Sequence, residues 1–295
     1  MGEGKSLAPL ESQVRAVDGT RLYVQVEPGG IGPTLLFCDG IACDGFIWRR
    51  LWRRLLGLSP LAHFHYRGHG RSGSPVDPDR IDVAAHASDV DRVRRELGDP
   101  RVVLVGHSFG TQVALEAYRL RPDGVAGLVF LCGSFGRVTY TFKGSDLLAN
   151  LLPQLVSFVE RHPTLTRALW SRVPIDAALR VAKLTGDLDP TRVSADDVRP
   201  YFEHVRQLDS GMFLRMLRAA GEHSAQDLLP QIAIPALIVA GERDSFTPPE
   251  LSKGMADAIP ESEFVLLPQS THLAPLERDA EVASTMQSFL ERRVR

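Results

Sequence analysis

Only three cysteines occur in the 295 residues: Cys38, Cys43 and Cys132. Their odd number and spacing suit neither a disulfide framework nor a metal site, and they fit a reducing compartment. Long apolar runs are lacking too. No stretch approaches the ~20 residues of a membrane span, and residues 1 to 10 have no apolar leader core. We therefore expect a cytoplasmic protein with no membrane span. Net charge is close to zero, at −2, which argues against nucleic acid as a partner. The one basic cluster, Arg49, Arg50, Arg53 and Arg54, reads as a solvated helix face. There are no internal repeats, low-complexity segments, dinucleotide-binding motifs or metal-ligand clusters, so no cofactor or metal is expected. The length suits one large α/β domain with an insertion.

What is present is an alternation of strands and helices. After a polar tail, Gln13 to Val17 and Leu22 to Val26 alternate apolar and polar around Asp18-Gly19, which predicts an antiparallel hairpin. Thr34 to Cys38 is a continuous apolar strand of the buried, parallel kind. A helix follows to about Leu56, then a short strand from Leu61 to His65. Asp82 to Leu97 has helical apolar spacing. Val102 to Val105 is a strand running into Gly106-His107-Ser108-Phe109-Gly110 and a helix, and Leu128 to Leu131 is a further strand. Such alternation implies a parallel sheet with right-handed crossovers. From 135 to 230 the rhythm changes to short amphipathic segments broken by prolines, which reads as a helical insertion. Strands return at Ala236 to Ala240 and Glu263 to Leu267, with helices from about Glu250 and Asp279. The expected organisation is a core of 1–134 and 231–295 with a helical cap of 135–230.

The chemistry is concentrated at strand ends. Gly-x-Ser-x-Gly between a strand and a helix is the nucleophile elbow, which exposes the serine hydroxyl on a tight turn. A serine needs a base, and the base needs an orienting carboxylate. Loops after parallel strands gather on one sheet edge. His272, just beyond the last strand, and Asp244, in the loop after Ala240, therefore share an edge with Ser108. The other eight histidines fit the base less well: His86 suits a surface or packing role, and His107 points away from the serine. Asp244 could also be a mere turn former.

Taken with Arg67-Gly68-His69-Gly70-Arg71-Ser72 and Thr271-His272, these motifs resemble α/β-hydrolase-fold proteins of the esterase/lipase type, and the chain order Ser, Asp, His is that family's. The likeness implies a mostly parallel eight-stranded sheet flanked by helices with a cap over the site. It also implies an oxyanion hole formed by the backbone N–H groups of Phe109 and, by position, Ile41. Two positions depart from the family pattern: Asp39-Gly40 stands for His-Gly, and His65 stands for the Asp of Asp-x-Arg-Gly. We expect a reciprocal exchange in which Asp39 pairs with His65.

Relatives with an Asp nucleophile cleave carbon–halogen bonds or epoxides, and Ser108 argues against both. A serine suits acyl transfer. The expected activity is hydrolysis of a small-molecule carboxylic ester with a small to medium apolar acyl group. Carbon–carbon bond hydrolysis, acyl transfer to another acceptor and slow-turnover ligand sensing use the same residues. Phe246, Leu273, Trp170 and Phe213 are candidate pocket residues.

Overall fold

The computed structural model describes residues 10–294. The polar N-terminal tail and the expected lack of a leader lie outside the described residues. Leu10–Arg15 (β1) and Arg21–Glu27 (β2) form the expected hairpin. Gly19, at φ 89°, makes its turn, and the Asp18 carboxylate accepts the Thr20 N–H at 3.1 Å. The remaining strands are Thr34–Cys38 (β3), Leu61–Phe64 (β4), Val102–His107 (β5), Val125–Leu131 (β6), Ala236–Gly241 (β7) and Ser262–Leu267 (β8). β6 starts three residues earlier than its apolar run suggests, because Val125 and Gly127 pair with Val102 and Val103 of β5. Gly127, without a side chain, interrupts the apolar pattern there.

The sheet order is β1-β2-β4-β3-β5-β6-β7-β8. β2 is antiparallel to both its neighbours, and every pairing from β4 onward is parallel. Each crossover carries a helix: Arg49–Leu55 (α1), Val83–Glu96 (α2) and Phe109–Leu120 (α3) in the first half. The Asp82 side chain caps α2 by accepting the Ala85 N–H at 2.7 Å. Between β6 and β7 run Val138–Thr141 (α4), Leu147–Arg161 (α5), Pro163–Trp170 (α6), Ile175–Leu184 (α7), Ala195–Gln207 (α8) and Ser210–Glu222 (α9). Pro249–Ala258 (α10), Ala274–Glu277 (α11) and Asp279–Arg293 (α12) complete the chain. No helix among the described residues is long and apolar enough to cross a membrane.

All residues of β3, β5 and β6 are buried, which explains their continuous apolar runs. Alternate side chains feed two cores. Leu36, Leu104 and Phe130 pack under α2 and α3, whereas Phe37, Val105 and Val129 pack under α1 and α12. The sheet reverses its winding direction between β3 and β5. Ligands of open α/β sheets bind in the crevice beyond the carboxyl ends at such a switch point. The loops of Gly40 and Ser108 lie there.

The basic cluster on α1 is only partly a solvated face. Arg49 and Arg53 are exposed, but Arg50 donates to the Arg192 and Leu276 carbonyls at 3.0 and 2.9 Å and to Asp197 at 2.7 Å. It thereby ties the start of α8 to the sheet layer. The loop after β4 is held by Arg67, fully buried in a two-point contact with Asp89 at 2.6 and 2.7 Å. The same guanidinium reaches Asp18 of the hairpin turn at 2.9 Å. Removing one partner of a buried pair strands the other charge and costs about 3–5 kcal/mol. Asp89→Ala should lower the unfolding free energy by about that amount in a urea titration.

Candidate active site

Ser108 sits between β5 and α3 with φ 53° and ψ −120°. A side chain held at positive φ is strained, and such strain persists only where the surroundings over-determine it. Two glycines make the turn possible. A Cβ on Gly106 would lie 2.5 Å from the Gly110 carbonyl oxygen, and one on Gly110 would run into the Cys38 carbonyl of β3. Packing of α3 onto the end of β3 thus forces the elbow. Gly40 plays a related part: a Cβ there would come within 3.4 Å of Ser108 Cβ and 3.0 Å of His107 Nδ1. Its loop is therefore pressed against the serine.

His272 follows β8, and its Nδ1 lies 2.8 and 3.0 Å from the two carboxylate oxygens of Asp244. Asp244 is almost fully buried and has further donors: the Phe246 and Thr247 N–H groups at 2.9 Å and the Thr247 hydroxyl at 2.9 Å. With Nδ1–H donated to the carboxylate, Nε2 is the ring's acceptor. The loop carrying His272 is braced twice. His107 Nε2 donates to the His272 carbonyl at 3.0 Å. Burial, and then the nearby His272, push the His107 pKa down to about 3, so this ring stays neutral. Behind it Glu277 accepts from the Thr271 N–H and from the Ser270 and Thr271 hydroxyls at 2.7 to 3.0 Å. Nothing in the local sequence points to Glu277. Thr247, three residues after Asp244, fits a side-chain turn and could have been read as such.

Ser108 and His272 open into one cleft of about 610 Å³. Ile41, Cys43 and Phe46 form one wall, and Phe246 and Leu273 line it beside His272. The Phe246 ring stacks on His272 with centroids 5.0 Å apart. Pro174, Ala177, Ala178, Val181 and Ala182 of α7 and its approach form the roof. The Phe109 side chain is buried against Tyr66 and His86, so what it offers the site is its backbone amide at the first turn of α3. Among the described residues neither that amide nor the Ile41 amide donates to another group.

A sequence model described as the alpha/beta hydrolase fold matches residues 33–279. The chain belongs to this family. Lipase LipV of Mycobacterium tuberculosis is 30% identical over 283 residues, spanning 91% of this chain and 97% of LipV. Polyketide synthase ThaQ of Burkholderia thailandensis is 27% identical over 90% of this chain, which corresponds to only 12% of ThaQ. Among solved structures, a thermophilic esterase from Thermogutta terrifontis superposes with a TM-score of 0.75 at 22% identity, covering 98% of this chain and 100% of that one.

Within this α/β-hydrolase fold the two departures at the strand ends resolve differently from the expected exchange. Asp39 does not pair with His65. Its carboxylate takes His63 Nε2 at 2.9 Å, the Trp48 indole N–H at 2.5 Å and the Gly45 N–H at 3.0 Å. His63 opposes Phe37 in the β3–β4 register, whereas His65 lies past the end of β4 and accepts the Arg71 N–H on Nδ1 at 2.8 Å. Burial pushes the Asp39 carboxyl up, but His63, His65 and Trp48 outweigh it and hold its pKa below the ordinary 3.8. Two pocket expectations fail as well. Trp170 and Phe213 do not line the Ser108 cleft. Their rings pack together at 5.4 Å, and the Trp170 indole donates to the Val205 carbonyl at 2.7 Å. Amphipathic helices bury their large rings against one another, and α6 and α9 do so here.

Because the folded pKa of Asp39 is depressed, its stabilisation is complete above the ordinary carboxylate value and is lost as pH falls through the lowered one. The difference in thermal unfolding midpoint between the parent protein and Asp39→Asn should shrink as pH falls below about 4. A difference independent of pH down to 3 would contradict this account.

Proposed function

We propose that the protein is a serine hydrolase that cleaves carboxylic esters of apolar acids through an acyl-enzyme on Ser108. The observation that carries this reading is a strained serine elbow and a His272–Asp244 pair opening into one apolar cleft. The likeness to a lipase over nearly the full length of both chains supports it.

The steps follow from the groups present. Ser108 Oγ attacks the acyl carbonyl carbon while His272 Nε2 takes its proton, and Asp244 holds the ring and stabilises the imidazolium. The Phe109 and Ile41 N–H groups receive the developing oxyanion, each donor contributing about 2.7–4 kcal/mol to transition-state stabilisation. Collapse of the tetrahedral intermediate breaks the bond to the alcohol oxygen, which leaves with the proton from His272. Water, deprotonated by His272, then attacks the acyl-enzyme and frees the acid and Ser108. Asp187 is the carboxylate that borders the cleft, and Lys143, Ser245 and Thr185 hold it. The rest of the lining is mostly aliphatic and aromatic, which suits an acyl chain without charge. The helical segment 135–230, acting as the cap, sets its length through the small side chains of α7.

A fluorophosphonate should label Ser108, as located by mass mapping of the adduct. Ser108→Ala should abolish the label and lower kcat on a p-nitrophenyl ester by at least about 10³-fold. Absence of an adduct, under conditions where a known serine hydrolase labels, would remove the reading. Turnover of a β-diketone with inertness toward esters would reassign the same residues to carbon–carbon bond cleavage. Ala178→Leu narrows the roof, so kcat/KM for an octanoyl ester should fall about 10-fold relative to a butanoyl ester.

A further inference from the structure

Tyr201, on α8, has a polar atom that the fold does not use. Its ring packs on Phe46 with centroids 4.9 Å apart and on Phe202 at 5.4 Å, and it lines the same cleft as Ser108. Yet its hydroxyl makes no hydrogen bond to any described residue. Tyr201 is only partly buried, and its unbonded hydroxyl is reached by solvent from the cleft. Tyr23 donates to Glu11 at 2.8 Å and Tyr66 to the Asp39 carbonyl at 3.0 Å, whereas Tyr118 of α3, like Tyr201, bonds through its hydroxyl to no described residue. Tyr201 differs in having a cleft beside it.

Its place is defined by neighbours from the loop that follows β3. Phe46 belongs to that loop, and Cys43 of the same loop lines the same cleft. Cys43 Sγ is in turn 3.3 Å from where a Gly40 Cβ would be, and that point is 3.4 Å from Ser108 Cβ. The Tyr201 ring thus packs on the loop that also carries Ile41. Burial first, and then Cys43, push its pKa above the ordinary value, so it remains an O–H donor at neutral and mildly alkaline pH.

The platform under Tyr201 is better anchored than the rest of the helical segment. At its start, Ser194 and Asp197 form a reciprocal cap, and Arg50 of α1 grips Asp197 at 2.7 Å. Further along, His204 Nδ1 lies 3.9 Å from Asp44, a residue of the loop after β3. By contrast α5 and α6 leave Leu151, Leu155, Phe158, Leu165 and Leu169 exposed. Preorganised donors are the ones that count in a transition state, because they need no reorganisation as charge develops.

We infer that the Tyr201 hydroxyl donates a hydrogen bond to the acyl carbonyl oxygen of the substrate, as a third donor beside the Phe109 and Ile41 amides. The inference rests on the reading of Ser108 as nucleophile. As the carbonyl carbon is attacked, its oxygen gains charge and the bond from Tyr201 strengthens, while the phenol keeps its proton.

Tyr201→Phe preserves the ring contacts and removes only the donor. With p-nitrophenyl hexanoate, kcat should fall about 10- to 100-fold while KM changes less than about 2-fold. Inhibition by a trifluoromethyl ketone, whose adduct on a serine carries an oxyanion, should weaken by the same factor as kcat/KM. Thermal unfolding of the variant should stay within about 3 °C of the parent, and a variant that lost its fold would assign the hydroxyl to structure and overturn the inference. Unchanged kcat would also overturn it, as would a raised KM at unchanged kcat, which would place the bond on a substrate group outside the reacting centre. The two levels separate cleanly: a parent protein that neither labels at Ser108 nor turns over esters refutes the nucleophile reading, whereas a labelling, active parent equalled by Tyr201→Phe refutes only the role of Tyr201.

Discussion

Much of the site depends on how closely α3 approaches the carboxyl end of β3. Gly110 carries no Cβ because the Cys38 carbonyl occupies that space, and Gly106 carries none because the Gly110 carbonyl does. Drawing the helix this near leaves Ser108 no choice but φ 53°. The strain is held by fully buried strands on both sides, whose pairing is worth far more than the ~1–3 kcal/mol such a backbone conformation costs. One close contact thus links the parallel sheet to the exposure of a single hydroxyl, and it brings Gly40 of the neighbouring loop against that residue.

Around this contact the chain spends its buried polar groups on fixing loops. Asp39 gathers the Trp48, Gly45 and His63 donors and so shapes the wall of the cleft. Glu277 closes the turn before His272 and also accepts the Asp189 N–H at 3.0 Å, joining that turn to the helical segment. Arg67 joins the hairpin, the loop after β4 and α2. None of these groups needs to meet substrate. Each is nearly or fully buried and hydrogen-bonded, the condition under which a buried polar network rigidifies its surroundings instead of destabilising them.

The helical segment divides into a firm half and a loose one. α8 and α9 reach the core through Arg50, His204 and the buried Met212 and Met216. α5 to α7 bury few side chains and supply the alanine-lined roof of the cleft. Few buried contacts mean a lower local opening energy. The cleft thus has a firmer wall, which carries Tyr201, and a looser roof.

Periodicity and motif spacing were enough to locate the strands to within a few residues and to bring Ser108, Asp244 and His272 to one sheet edge. Buried parallel strands are uniformly apolar, and an elbow needs glycines at fixed offsets, so both leave local traces. Pairings across the sheet leave none. That Asp39 meets His63 and not His65 follows from the β3–β4 register: His63 stands opposite Phe37, whereas His65, two residues on and so on the same face, lies past the end of β4. Trp170 and Phe213 look like pocket residues because the amphipathic segments of 135–230 display large rings, yet packing between α6 and α9 consumes them. Arg50, Glu277 and Tyr201 look ordinary along the chain, since their partners, or in the case of Tyr201 the lack of one, come from segments far away in sequence. Local chemistry singles out Ser108, Asp244 and His272, and only tertiary contacts decide which other side chains reach the same cleft.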